Sequence, residues 1–283
     1  MANGSGFQKD GGAAGDSVLQ PALAALRSQR PNDAERIATD VLKKQPRHSR
    51  ALYVLGSALL MQNRPKDAIT PLEEAGRGRN DPEIDTLLAI ALRQTGHADK
   101  AVLKLRRATK RKPPYAAAFH ELGYLLFSLE RYDEAVEALN RGLEVAPMMP
   151  ELSVQLGYIH LRRRNWSSAK MAFGRALAIS PTLHDALHGM AMAHSESGEH
   201  AAAAEHFRRC LTSRPDDASL WLNLGHCLLA LGQSEAGYNC FRAASRGDPA
   251  RAGVALSSLV RSSHGRFWLR PSEAVRFLRD RSS

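Results

Sequence analysis

The stretch 117–147, AAFHELGYLLFSLERYDEAVEALNRGLEVAP, decides the fold, and SLWLNLGHCLLALGQSEAGYNCFRAASRGDP at 219–249 repeats its pattern. Apolar residues recur at helical spacing in each half, a turn falls midway, and a proline closes the stretch. Prolines of this kind stand at Pro46, Pro113, Pro147, Pro181, Pro215 and Pro249, and the last five are spaced by 34 residues. The interval from Pro46 to Pro113 is 67, one residue short of two periods. The chain therefore parses into seven repeats: 15–48, 49–81, 82–115, 116–149, 150–183, 184–217 and 218–251. Only the second is a residue short, and it carries Asn80 in place of the closing proline.

Two places in this register are always small. The eighth holds Ala22, Gly56, Ala89, Gly123, Gly157, Ala191 and Gly225; the twentieth holds Ala34, Ala68, Ala101, Ala135, Ala169, Ala203 and Gly237. One small residue in each half is what two antiparallel helices need where they cross closely. Large residues fill the space between: Leu55, Leu88, Leu122, Leu156, Met190 and Leu224 at the seventh place, and Leu72, Leu105, Leu139, Phe173, Phe207 and Phe241 at the twenty-fourth. Gly96, Gly198 and Gly232 mark the turns between the halves. Each repeat reads as helix, tight turn and helix, stopped by proline. In the first repeat Pro21 stands where others place Leu, which predicts a first helix that starts late.

The pattern resembles the tetratricopeptide repeat family, with its two small places, a large residue near the fourth place (Phe119, Trp221) and a closing proline. The resemblance implies an all-α, right-handed superhelical solenoid of seven helix-turn-helix units with a concave groove lined by the first helices. The spacing of Val254, Leu256, Leu259 and Val260 predicts a capping helix within 252–263 that covers the last unit, followed by a basic C-terminal tail. Residues 1–14 read as a flexible glycine-rich tail.

Function in such an array lives on residues the repeat signature leaves free. In the family's geometry the second, fifth, ninth and twelfth residues of each first helix face the groove. Here these include Tyr53, Ser57, Thr86, Ile90, His120, Tyr124, Phe127, Val154, Tyr158, Leu161, His188, Met192, Leu222 and His226. The surface is apolar and aromatic, and Tyr124, Phe127 and Tyr158 form an expected anchor for an extended or helical peptide. The Lys and Asn clamp with which some family members hold acidic chaperone tails is absent, since its places carry Tyr53, Val54 and Ser57, or His120, Glu121 and Tyr124. The asparagine ladder of O-linked N-acetylglucosamine transferase is not matched either, with Asn223 alone on its rung.

Composition narrows the class of function. Of 283 residues, 43% are hydrophobic and 24% charged, which excludes a chain disordered throughout. No run of about 18 apolar residues signals a transmembrane helix. Cys210, Cys227 and Cys240 form no CxxC pair, which favours a reducing, cytoplasmic setting over a disulfide framework, and Cys210 falls where the repeat takes a small core residue. His184, His188 and His194 invite a metal reading, but no Glu completes an HExxH and His194 shares with His160 a place that fills the space between helices. No nucleophile elbow or phosphate-binding loop occurs, so neither an enzyme nor a cofactor is expected.

Charge supplies the competing reading. Lys and Arg number 39 against 29 Asp and Glu, a net +10. Residues 1–115 carry +8, residues 116–251 carry −2 and residues 252–283 carry +4, so the basicity is local. Within KAVLKLRRATKRK at 100–112, Lys100, Lys104, Arg107 and Arg111 fall on one stripe of the second helix of the third repeat, expected on its outer side. The leading reading is a non-catalytic adaptor or scaffold that captures a partner's peptide segment in the groove. The alternatives are an anionic-surface or nucleic-acid binder working through this stripe and the tail, and a regulatory subunit of a separately encoded transferase; self-association stays open.

Overall fold

The computed structural model describes residues 17–246 and, beyond them, only residues 253, 254, 257 and 272. The expected tail over 1–14 and, those positions apart, the capping helix over 252–263 and the basic C-terminal tail lie outside the described residues. Among the described residues there are fourteen α-helices and no strand. They pair as α1 (Gln20–Arg27) with α2 (Pro31–Lys44), α3 (Ser49–Met61) with α4 (Pro65–Gly76), α5 (Pro82–Gln94) with α6 (Ala98–Ala108), and α7 (Ala116–Ser128) with α8 (Tyr132–Val145). The series continues with α9 (Pro150–Arg162) and α10 (Trp166–Ile179), α11 (His184–Glu196) and α12 (His200–Ser213), and α13 (Ala218–Ala230) and α14 (Ser234–Ser245). The chain divides into two compact units, Met1–Pro147 with α1 to α8 and Met148–Ser283 with α9 to α14. Within each unit, every helix packs on its hairpin partner and every second helix packs on the first helix of the following repeat.

Local chemistry sets the helix boundaries. Prolines 31, 65, 82 and 150 open α2, α4, α5 and α9, where the missing N–H would have had no intrahelical partner. The Asp81 carboxylate accepts from the backbone N–H of Glu83 at 2.9 Å, and Asp217 from that of Ser219 at 2.9 Å, capping α5 and α13. Pro21 lies in the first turn of α1, which begins at Gln20; Ser17 and Val18 just before it are also helical.

The turn inside each repeat has one recurring geometry. Gly96, Gly198 and Gly232 have φ of 85°, 80° and 73°, and Gln29, Asn63, Glu130 and Arg164 occupy the same fifteenth place at 53°, 58°, 58° and 57°. The left-handed residue is thus a property of the repeat, met by glycine in three cases and by strained side chains in four.

Both small places and the twenty-fourth place are buried as the sequence predicts. The reason for smallness is visible at Gly157, where an added Cβ would lie 2.5 Å from Cε1 of Phe173 in the paired helix. Gly189, in the following repeat, faces the other side of the same ring with no more room. Phe173 therefore fills a slot made by two glycines, and its burial contributes about 2 kcal/mol.

Candidate functional site

The first-helix faces of the two units differ in chemistry. In the N-terminal unit, the Tyr53 hydroxyl donates to Glu83 Oε1 at 2.6 Å, reaching from α3 to the next repeat. Burial, then the Glu83 carboxylate, raise the Tyr53 phenol well above its usual range, and Tyr115, buried near the same carboxylate, is pushed up to about 12. Further along, the Arg93 guanidinium lies 4.9 Å from the centroid of the Tyr124 ring. Its Nη2 is 3.9 Å from Glu121, and His120 Nδ1 is 3.6 Å from the same carboxylate. Tyr124 is 44% exposed, an unusual share for an aromatic ring on a packed helix. Phe127 is half-buried and its ring centroid is 5.8 Å from that of Tyr132.

In the C-terminal unit the corresponding face is apolar and histidine-rich. Tyr158 stands edge-on to Phe173, centroids 5.2 Å apart, and donates its hydroxyl to the Asp185 carbonyl at 3.1 Å. Its phenol is pushed up to about 12, chiefly by burial. His188 stacks nearly parallel on His184 at 6.5 Å and meets Phe207 edge-on at 6.3 Å. One edge of the His226 ring is covered by Phe241 at 5.2 Å while the rest is exposed. Burial holds both His188 and His226 below the usual imidazole range. Leu161, Met192 and Leu222 are half-buried.

Not every expected groove residue reaches the surface. Thr86 is 3% exposed, Val154 8% and Ser57 9%, and the Thr86 hydroxyl is turned inward to donate to the Pro82 carbonyl at 2.6 Å. Tyr53, Ile90 and His120 are half-buried. At the fifth place Thr86 and Val154 sink between helices and Leu19 is fully buried, whereas Tyr53, His120, His188 and Leu222 are half-buried. Sequence reading passed over Arg93 and Glu121, although both carry charge at places beside the aromatic ones.

The basic stripe is sorted by the structure into two parts. Arg107 Nε lies 3.0 Å from Asp85 Oδ2, and its Nη2 donates to the Arg79 carbonyl at 3.1 Å. Arg111 donates to Asn80 Oδ1 at 2.7 Å. The side chain of Asp85 is only 7% exposed and occupies the fourth place, where Phe119, Leu187 and Trp221 stand in other repeats. Burial raises its carboxyl above the usual range, opposed first by Arg107 and then by Lys104 and Arg111. Arg107 is thus a counter-ion to a buried charge. Lys100 is exposed and Lys104 half-buried, and neither is tied by a hydrogen bond or ion pair to the described residues.

Other candidate groups have structural surroundings. His194 Nδ1 is 2.7 Å from Glu199 Oε2, its ring stacks on His206 at 5.5 Å, and Lys170 pairs with Glu199. The Lys170 hydrogen bond, then that of His194, hold the Glu199 carboxyl down to about 2. Cys210, Cys227 and Cys240 are free and buried, and burial pushes Cys210 and Cys240 up to about 11, far from a reactive thiolate. Among the described residues no group of three His, Cys, Asp or Glu is disposed to hold a metal ion, and no helix is long and apolar enough to cross a membrane.

Comparison with known proteins agrees with this architecture. Family models described as tetratricopeptide repeat match residues 19–82, 86–150, 120–183 and 195–259. A tetratricopeptide repeat protein from Parabacteroides merdae is similar at 18% identity and TM-score 0.61, with 95% of this chain and 100% of that one covered. The pilF protein of Pseudomonas aeruginosa is similar at 17% identity and TM-score 0.64, covering 74% of this chain and 97% of that one. A thermophilic protein of the same repeat class from Thermus thermophilus gives 22% identity and TM-score 0.52, over 64% and 99%. At these identities the likeness concerns the fold. A search of curated proteins finds no match.

Proposed function

Because the chain belongs to the tetratricopeptide repeat family, whose members are interaction modules, we propose that it is a non-catalytic adaptor that captures a partner's peptide segment on its first-helix faces. The observation that carries this reading is Tyr124, a ring left 44% exposed while Arg93 holds one of its sides. A half-open aromatic held on one side by Arg93, with Phe127 one helical turn along α7, is the kind of anchor that accepts an apolar side chain at low entropic cost. The C-terminal unit offers Met192, Leu222 and half-buried neutral histidines, which suits a segment of the same apolar character. Three buried free cysteines support a reducing, cytoplasmic setting.

Selection from a displayed random-peptide library tests the reading. Peptides with apolar or aromatic residues are expected to be enriched, and Tyr124→Ala is expected to weaken them about tenfold or more while far-UV circular dichroism stays unchanged. Tyr124 is the better probe than Tyr158, whose ring and hydroxyl also hold repeats together. Enrichment that survives Tyr124→Ala and Met192→Ala together would place recognition elsewhere.

A further inference from the structure

Sorting the basic stripe by its partners changes what it can bind. The arginines of α6 and of the segment after it are turned to protein: Arg107 to Asp85, Arg106 to Glu134 and, past the helix, Arg111 to Asn80. Lys100, Lys104, Lys110 and Lys112 are tied by no hydrogen bond or ion pair to the described residues. Between Lys100 and Lys104, one helical turn apart, stands Leu103, 68% exposed. A leucine in that position contributes nothing to the core, which α6 meets through Ala101, Val102, Leu105 and Ala108. The local charge is high, since residues 93–112 hold eight basic groups and one acidic, Asp99.

We propose that Lys100, Lys104 and the exposed Leu103 of α6, with Lys110 and Lys112 just past its C-terminal end, dock this part of the repeat onto an anionic lipid bilayer. Three features favour a bilayer over other polyanions. Lysines are mobile point charges that follow a fluid array of headgroups, whereas arginines, whose planar fork suits fixed phosphates, are here committed to Asp85 and Asn80. An exposed leucine flanked by lysines matches the headgroup and acyl boundary, where the aliphatic stem is buried and the ammonium groups stay in water. A nucleic-acid backbone would reward the lysines but leave Leu103 idle. The surface lies on a second helix, so it leaves the first-helix faces free for a peptide and does not depend on that reading.

The test is co-sedimentation of the full chain with vesicles of phosphatidylcholine containing about one-third phosphatidylserine. Binding is expected there and not to pure phosphatidylcholine, and it falls with added salt. Each Lys→Gln change at 100, 104, 110 or 112 is expected to weaken partitioning about fivefold. Leu103→Gln is expected to weaken it about tenfold with the melting temperature little changed, since Leu103 is 68% exposed. Unchanged vesicle binding by the variant with all four lysines replaced would overturn the proposal. Two other outcomes also overturn it: lysine-dependent binding of duplex DNA or of polyglutamate that Leu103→Gln leaves intact, in the absence of vesicle binding.

Discussion

Repeat 82–115 of the N-terminal unit places Asp85 at a position that repeat 184–217 of the C-terminal unit fills with Leu187. The contrast extends along the two units. In the first, charged pairs tie helices both between successive repeats, as Arg64 on Glu35 at 3.0 Å and Arg106 on Glu134, and within one repeat, as Arg107 on Asp85 at 3.0 Å. In the second, beside the Lys170–Glu199 pair, rings carry much of this: Phe173 lies against glycines of two successive repeats, and within single repeats His188 meets Phe207, His194 stacks on His206 and His226 meets Phe241. One repeat frame thus accepts two kinds of joint, and each joint should fail under its own stress. The two can be followed separately in the intact chain, because its three tryptophans, Trp166, Trp221 and Trp268, all lie in the C-terminal unit.

The largest effect is expected in the first unit. Arg107→Ala leaves a buried carboxylate without its main counter-ion and should cost about 3 kcal/mol in urea denaturation followed by circular dichroism. Adding Asp85→Leu, which restores the usual apolar residue, should recover most of that loss. A loss that Asp85→Leu does not recover would mean that Arg107 acts through its bond to the Arg79 carbonyl instead.

In the second unit, Gly157→Ala drives a methyl into the Phe173 ring and should cost about 2 kcal/mol, read as an earlier tryptophan transition. Phe173→Leu in the same background should relieve part of the overlap. The Arg107 and Gly157 effects should add, since the residues belong to separate compact units.

Acid should then separate the units further. His160, His188 and His206 all have imidazoles held below their usual value, chiefly by burial, and His206 Nδ1 is buried with no hydrogen-bond partner. A histidine whose folded value is lowered binds fewer protons in the native state, so the unfolded chain gains relative stability as pH falls through about 6.5. The tryptophan transition should therefore move to lower urea between neutral pH and about pH 5, by less than Gly157→Ala moves it. His188→Gln should flatten that dependence. The smallest expected effect is a gain: Glu130→Gly relieves a left-handed side chain at φ 58° and should stabilise the first unit by up to about 1 kcal/mol.

The sequence carried the frame because the frame is made by periodic sterics. Ala or Gly at the eighth and twentieth places and Leu or Phe at the twenty-fourth are buried where the period puts them. The turn was only partly legible, since Glu130 and Arg164 adopt the geometry that Gly96 announces. The faces were less legible still. Thr86 and Val154 share the fifth place with His120 and Leu222 yet sink, as Leu19 does, so the repeat register alone does not set exposure there. Arg107 reads as one more charge on a stripe until the buried carboxylate facing it is known. That carboxylate did leave a signal: Asp85 is the one charged residue at the fourth place, where the other repeats carry Val18, Leu52, Phe119, Ser153, Leu187 and Trp221.

Site-specific photo-crosslinking in cells tests peptide capture most directly. A benzophenone side chain replaces Tyr124 on α7 or Met192 on α11, and in paired controls the exposed Glu137 on α8 or Met171 on α10. Capture on the first-helix faces requires that Tyr124 or Met192 marks a partner segment rich in apolar residues, while Glu137 and Met171 do not. Crosslinks from the second-helix positions to that segment, with none from Tyr124 or Met192, would contradict it.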